Sequence, residues 1–470
     1  VSDLDAYRGL ISTKRVAHVP TGLKHVPALA AAMKPHQQVT TAFALETGRS
    51  ALFLDTGLGK TLCALEYGRV VVEHTNRPVL MLAPLAVAGQ HQREAEKFGV
   101  DAKAIREPDE VGPSRVYITN YDRLEKFDPT LFGGVVLDES SILKSFTGKT
   151  TRELISAFAR TPFRLACTAT PAPNDHTELG QHSAFLGVMD SPEMLSRWFL
   201  ADQTNMGRYR LKKPAIKPFW EWVASWARCV AKPSDLGFSD EGYDLPPLNL
   251  QRHVVRADTS VDTGEEKDGQ GRLFRIPDTS ATAIHKEKRH TLEARAAVIA
   301  DVVRAEPGEA WVIWCDTDYE QDALEAALGD FAFSIRGSDT PNQKEARHEA
   351  WLAGERRGLI CKPSMFGWGC NWQHCARMAF IGLSFSYESF YQAVRRCWRF
   401  GQERPVEVHV ACADTEEAIW NVISRKADDH GTMKAEMAAA MSRAARSHRV
   451  LETYAPALAA ELPAFLRSAA

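Results

Sequence analysis

The stretch Ala51-Leu52-Phe53-Leu54-Asp55-Thr56-Gly57-Leu58-Gly59-Lys60-Thr61 decides the fold. A short apolar β-rich run leads into a loop with two glycines, and the loop opens into a helical stretch over 62–73. Strand, glycine loop and helix in that order make a phosphate cradle. Glycines let backbone N–H groups face a polyphosphate, and the helix N-terminus favours negative charge. Lys60 supplies a point charge for the outer phosphates, and Thr61 a hydroxyl for Mg²⁺. The nucleotide-binding set read from the loop is Asp55, Thr56, Gly57, Leu58, Gly59, Lys60 and Thr61. The usual eight-residue pattern begins with glycine and Leu54 stands there instead, so the loop alone leaves a plain glycine turn open as a second reading.

Downstream, Val135-Val136-Leu137-Asp138-Glu139 is an apolar run ending in two carboxylates. In a parallel sheet, loops that bind ligands leave the carboxyl ends of the strands. Asp138 then reaches the Mg²⁺, directly or through water, and Glu139 orients and deprotonates the attacking water. One such acidic pair, taken alone, reads equally as surface charge. Following this loop in the same unit, it reads as the second half of a nucleotide site.

Around these motifs, short β-rich runs at 51–54, 79–82, 116–119 and 135–137 alternate with amphipathic stretches, the pattern of a parallel α/β sheet. A second alternation occupies 311–315, 331–335, 358–361, 378–381 and 406–410, which implies a second α/β lobe. The expected divisions are 1–184 for the first lobe, 185–290 for an inserted helical region, 291–430 for the second lobe and 431–470 for a helical tail. The insertion is rich in tryptophan, lysine and proline, and its polar, glycine-bearing part at 261–272 is expected to be a mobile loop. The alanine-rich end of the chain is expected to be helical and broken at Gly431.

Composition narrows the setting. The 470 residues exceed one compact core and suit two or three domains. No apolar run is long enough to span a bilayer, so no membrane role is expected. Residues 1–30 mix charges and prolines with apolar residues and lack the layout of an export signal, which gives a cytoplasmic expectation. Nine cysteines without paired spacing argue against a disulfide framework, and Cys361, Cys370, His374 and Cys375 are read as packing. A net charge of −3 makes any nucleic-acid surface a local one.

Over 34–429 the chain resembles the DEAD/DEAH-type helicase superfamily, within it the Snf-type double-stranded-DNA translocase branch and its small phage-type members. Lys34-Pro35-His36-Gln37 resembles the adenine-recognition element, with Gln37 as the base reader. Ala83-Pro84-Leu85, with the following stretch 90–98, is similar to the first nucleic-acid-contacting motif, and Ile118-Thr119-Asn120-Tyr121 to the next. Asp138-Glu139-Ser140-Ser141 stands where the family has DEAH, continued by Leu143-Lys144-Ser145. Thr168-Ala169-Thr170-Pro171 resembles the segment that couples hydrolysis to lobe movement. Gly367-Trp368-Gly369-Cys370-Asn371 is similar to a glycine-rich motif touching both nucleotide and nucleic acid, with Gly369 on the nucleotide. The stretch from Gln392 to Gln402, Gln-Ala-Val-Arg-Arg-Cys-Trp-Arg-Phe-Gly-Gln, resembles the family's last motif, whose catalytic residues fall on Gln392, Arg396 and Arg399. A guanidinium from the opposite lobe neutralises charge developing on the γ-phosphate, so hydrolysis requires lobe closure. Ser141 replaces the usual histidine, Ala169 a usual glycine, and Val230-Ala231 a usual arginine pair of the brace between lobes.

The resemblance implies two tandem RecA-like lobes and an ATP- and Mg²⁺-dependent motor on double-stranded DNA, with work in phage or prophage replication, recombination or DNA processing. A strand-separating helicase and a nucleotide-gated DNA-binding module are the competing expectations. Arg208, Arg210, Lys212, Lys213, Lys217, Arg228 and Lys232 lie among Trp220, Trp222 and Trp226. A DNA-backbone contact is the expectation for the basic residues and a packed helix face for the tryptophans.

Overall fold

The computed structural model describes residues 17–84, 88–145, 148–202, 209–256, 288–366, 371–384 and 386–453. The first lobe holds β1 (Arg49–Leu54), β2 (Val79–Ala83), β3 (Ala102–Ala104), β4 (Val116–Asn120), β5 (Gly134–Asp138) and β6 (Phe163–Cys167). A small antiparallel hairpin follows, β7 (Phe199–Ala201) with β8 (Tyr209–Leu211), and then β9 (Ala227–Val230). The second lobe holds β10 (Leu248–Val255), β11 (Trp311–Trp314), β12 (Ala332–Ser334), β13 (Gly358–Cys361), β14 (Arg377–Phe380) and β15 (Val406–Ala413).

Both large sheets are wholly parallel, in the order β3-β4-β2-β5-β6-β1-β9 and β10-β15-β14-β11-β13-β12. The apolar runs form strands because helices cover both faces, and a parallel strand buried on two sides is apolar almost throughout. Alternate residues show the two faces: Phe53, Leu80 and Leu82 belong to one core, and Leu52, Leu54, Val79 and Met81 to the other. The second lobe repeats this, with Val312 and Trp314 on one face and Trp311 and Ile313 on the other. The architecture is therefore two tandem α/β lobes of RecA-like type, as the sequence leads one to expect.

The middle region differs from the expected helical insertion. β9 pairs with β1, Ala51 opposite Ala227 and Leu54 opposite Val230, and β10 pairs with β15, so 185–290 supplies an edge strand to each lobe. Local pattern hides this, because an edge strand is identified by its partner across the sheet. Trp220, Trp222 and Trp226, on helix Ile216–Trp226, are all buried in the first lobe's core.

The expected break at Gly431 is also corrected, for helix Glu417–Thr453 runs through it unbroken. A glycine inside a helix costs about 1 kcal/mol against alanine. Met433, Met437, Ala440 and Met441 outweigh that by packing into the first lobe's core. Ile419 and Ile423, on the same helix, lie in the second lobe's core. The expected mobile loop at 261–272 and the tail beyond Thr453 lie outside the described residues.

Candidate active site between the two lobes

The phosphate loop is shaped by its two glycines. Gly57 has φ +92° and Gly59 φ +85°, a region that side chains oppose. A Cβ at Gly57 would come within 2.8 Å of the Phe400 ring, and one at Gly59 within 2.2 Å of Gln37 Nε2. Gln37 is buried behind the loop, accepting from Lys34 N at 2.9 Å and donating to Leu58 O at 3.0 Å. Helix Lys60–Thr75 begins at Gly59, and Lys60 Nζ donates to Leu54 O at 3.0 Å.

β6 lies between β1 and β5, so the loop after β1 and the carboxylates after β5 emerge from one sheet edge two strand spacings apart, roughly 10 Å. Asp138 ends β5. Its carboxylate pairs with His91 Nε2 at 2.6 Å, and its main-chain oxygen accepts from the Tyr121 hydroxyl at 2.7 Å. Burial alone would lower the His91 pKa, but the Asp138 carboxylate overrides it and raises it. Glu139 holds φ +54°, a strained value for a residue with a side chain. Burial pushes its carboxyl up to about 7; Lys60 pulls against this, Asp138 adds to it, and Arg396 pulls it back. The Thr168 hydroxyl donates to Glu139 Oε2 at 3.3 Å, joining the expected coupling segment to this carboxylate. A carboxyl poised near neutrality suits a general base.

The second lobe faces these groups. Gln392 lies on helix Tyr387–Val394, and Arg396 and Arg399 on the turn after it. A cavity of about 450 Å³ is lined by Gln37, Thr56, Gly57, Gly59, Lys60, Thr61, Asp138 and Glu139 from one lobe and by Asn371, Gln392, Arg396 and Arg399 from the other. Burial, with repulsion from Arg396 and Arg395, lowers the Arg399 guanidinium to about 10, so several positive charges are gathered on the cavity's far wall. Such a wall suits a polyphosphate.

Two residues of the expected nucleotide set do not line the cavity. Asp55 does not line the cavity: its carboxylate points to the second lobe, accepting from the Tyr391 hydroxyl at 2.6 Å and pairing with Arg395 at 3.1 Å and Lys434 at 3.0 Å. Leu58 has its side chain in the hydrophobic core, and only its carbonyl meets Gln37. Gly369, with the rest of 367–370, lies outside the described residues, as does Leu85. Sequence reasoning also passed over His91 and Arg395. His91 lies in a stretch assigned to nucleic acid, and Arg395 immediately precedes the first of the two arginines that drew attention.

The basic segment is only partly free to meet DNA. Arg228 stacks its guanidinium 3.3 Å from the centre of the Phe43 ring and donates to Ala224 O and Ala227 O, which removes it from the expected contact. Lys212 donates to Ser196 O and Arg197 O, Lys217 pairs with Glu221, and Lys232 with Asp240. Arg210 and Lys213 are exposed, while Arg208 lies outside the described residues.

The residues present fit a magnesium nucleotide. Thr61 and Asp138 offer hard oxygen ligands of the type Mg²⁺ takes. Thr56 Oγ1 and Gln392 Nε2 are buried in the cavity wall without a hydrogen-bond partner. Among the described residues, no helix is long and apolar enough to cross a membrane.

No protein-family model matches the chain. The chain is 23% identical over 439 residues to "Putative ATP-dependent helicase/translocase YwqA" of Bacillus subtilis (strain 168), a match covering 82% of this chain and 46% of that protein. The chain therefore spans less than half the length of the curated relative it matches. A solved structure described as "Sulfolobus solfataricus SWI2/SNF2 ATPase core in complex with dsDNA" aligns over 88% of this chain and 94% of its own, at 17% identity and a TM-score of 0.41. By sequence, then, the chain is similar to a helicase/translocase described as ATP-dependent.

Proposed function

We propose that this chain is an ATP-driven motor that hydrolyses ATP between its lobes and moves along double-stranded DNA without separating the strands. The observation that carries the reading is the shared cavity, with phosphate loop and carboxylates on one wall and Arg396 and Arg399 on the other. Lys60 and the loop's N–H groups hold the outer phosphates, and Gln37 backs the loop near the base. Thr61 and Asp138 would hold Mg²⁺, which when bound neutralises phosphate charge. Glu139 takes the proton from the attacking water, and Arg396 and Arg399 stabilise the charge that develops as the bond breaks. Because those arginines belong to the other lobe, turnover depends on the lobes' mutual position, which is how fuel couples to movement.

Translocation is preferred to strand separation because the second lobe's sheet is wholly parallel and, among the described residues, no hairpin projects from it. Membership of the Snf-type branch as a small phage-type member, a place in phage or prophage DNA replication, recombination or processing, and a cytoplasmic location complete the proposal.

Phosphate release from Mg²⁺-ATP, measured alone and with duplex DNA, single-stranded DNA or RNA beside Glu139→Gln, tests it. The expected result is stimulation by duplex DNA that falls at least about 10²-fold in the variant. Equal turnover with and without every nucleic acid would reject the motor. Unwinding of a labelled fork at rates matching ATP turnover would select the strand-separating reading.

A further inference from the structure

We propose that Asp55, Tyr391, Arg395 and Lys434 form a buried pin between the lobes that keeps the phosphate loop in register with Arg396 and Arg399, and that the terminal helix acts on the site through Lys434. This rests on the reading of the cavity as the ATP site.

Three groups from two other parts of the chain meet at the Asp55 carboxylate. Asp55 begins the phosphate loop, Tyr391 and Arg395 belong to the second lobe, and Lys434 comes from helix Glu417–Thr453. The Tyr391 hydroxyl donates to Asp55 Oδ1, Lys434 Nζ donates to Asp55 Oδ2, and Lys434 lies 3.2 Å from the Tyr391 oxygen. Arg395 pairs with Oδ1 and also donates to Thr56 O at 3.0 Å. The Arg395 side chain is 1% exposed and that of Asp55 9%. Breaking a buried charge pair leaves an uncompensated ion, so the arrangement tolerates little displacement.

Its position gives it leverage. Asp55 and Thr56 immediately precede Gly57, and Arg395 immediately precedes Arg396. Joining these points sets the loop against the arginine turn. Asp55 N donates to Val230 O at 2.9 Å, so the same residue is tied to β9 from beneath. The Phe400 ring against Gly57 closes the other side of the contact.

The terminal helix is built on both lobes. Ile419 and Ile423 are packed in the second lobe's core, while Met433, Met437 and Met441 are packed in the first. Any relative movement of the lobes strains this helix or withdraws Lys434 from Asp55. Anything that shifts the helix therefore alters how the loop meets the arginines.

The test uses the full chain with Lys434→Met, which keeps the aliphatic stem and removes the charge, and Lys434→Arg, which keeps the charge. Amide hydrogen exchange over residues 55–61 is followed together with kcat and KM for ATP. In Lys434→Met, exchange in that segment is expected to rise about tenfold and kcat to fall about tenfold, with KM within about twofold, because positioning is lost while binding groups remain. Lys434→Arg is expected to restore both. Faster exchange confined to the terminal helix, with 55–61 unchanged, would overturn the pin and leave Lys434 a packing residue. If Lys434→Met does not fold, Tyr391→Phe removes one hydroxyl from the cluster and must show faster exchange over 55–61 for the pin to stand. If the unmodified protein hydrolyses no ATP, the motor fails as a reading, while the exchange result still decides the pin.

Discussion

Glu139 is half-buried, and desolvation raises its carboxyl to about 7, the property that suits a general base. Its backbone is held at φ +54° by its surroundings. Strain of that type costs about 1–3 kcal/mol and persists only where neighbouring structure enforces it. β5 fixes the preceding residue, and Thr168 holds the side chain from the neighbouring strand's end. Opposite, Arg396 lines the same cavity and stands close enough to lower the Glu139 pKa. Arg396→Ala is expected to lower kcat by about 10³-fold, as removal of an arginine finger does, with a smaller change in ATP affinity. Arg396→Lys should regain little of it, since an ammonium lacks the planar fork that engages two phosphate oxygens. Steady-state phosphate release with a fluorescent-nucleotide titration separates the two quantities; weaker nucleotide binding with kcat unchanged would mean that Arg396 only binds.

At the scale of the element, the phosphate loop is a strand-to-helix connection whose shape depends on glycine at two positions. Gly59→Ala places a Cβ 2.2 Å from Gln37 Nε2 at a backbone angle of +85°. Gln37 is itself held by two hydrogen bonds, so either the loop or the glutamine must move. We expect a loss of about 1–2 kcal/mol in stability, read as a lower thermal midpoint, together with weaker ATP binding. An unchanged midpoint would mean that the loop relaxes without strain. Helix Ile216–Trp226 teaches the complementary lesson. The spacing of Trp222 and Trp226 gives its buried face, yet Trp220 is equally buried because the sheet covers the helix on one side and the terminal helix on another.

Across the whole molecule, proton uptake links lobe stability to pH. His182 lies in the first lobe's core, with Nε2 3.1 Å from Ser140 Oγ and its ring edge-on to Phe53. Burial lowers its pKa from 6.5 to about 4. Above pH 6.5 neither folded nor unfolded chain protonates it; below, the unfolded chain takes a proton that the folded one refuses. Stability tied to a neutral His182 is therefore full above pH 6.5 and is lost as pH falls towards 4. Glu139 and Glu178, both raised to about 7 by burial, work in the opposite direction over part of this range. The effect must accordingly be read as a difference. The advantage of the unmodified protein over His182→Asn is expected to shrink by up to roughly 1.4 kcal/mol per pH unit between pH 6 and 4, measured by urea midpoints. A difference independent of pH would mean that the ring is protonated in the folded state.

Read alone, the sequence determined the features that short-range pattern encodes: the glycine loop with Lys60 and Thr61, the acidic strand end at Asp138 and Glu139, the arginine turn and the two runs of alternating strands. Each is a contiguous stretch whose chemistry needs fixed spacing, so each is visible one segment at a time. Tertiary structure decided what depends on partners distant in the chain. Asp55 reads as a phosphate-loop residue, but lobe contact turns its carboxylate to Arg395 and Lys434, 340 and 379 positions away in sequence. Arg228 reads as a phosphate contact, but Phe43 and two carbonyls capture it. Gly431 reads as a helix break, but methionines packed across the other lobe hold the helix through it. In each case the local preference amounts to about a kilocalorie or a single exposed charge, and burial against another part of the fold outweighs it.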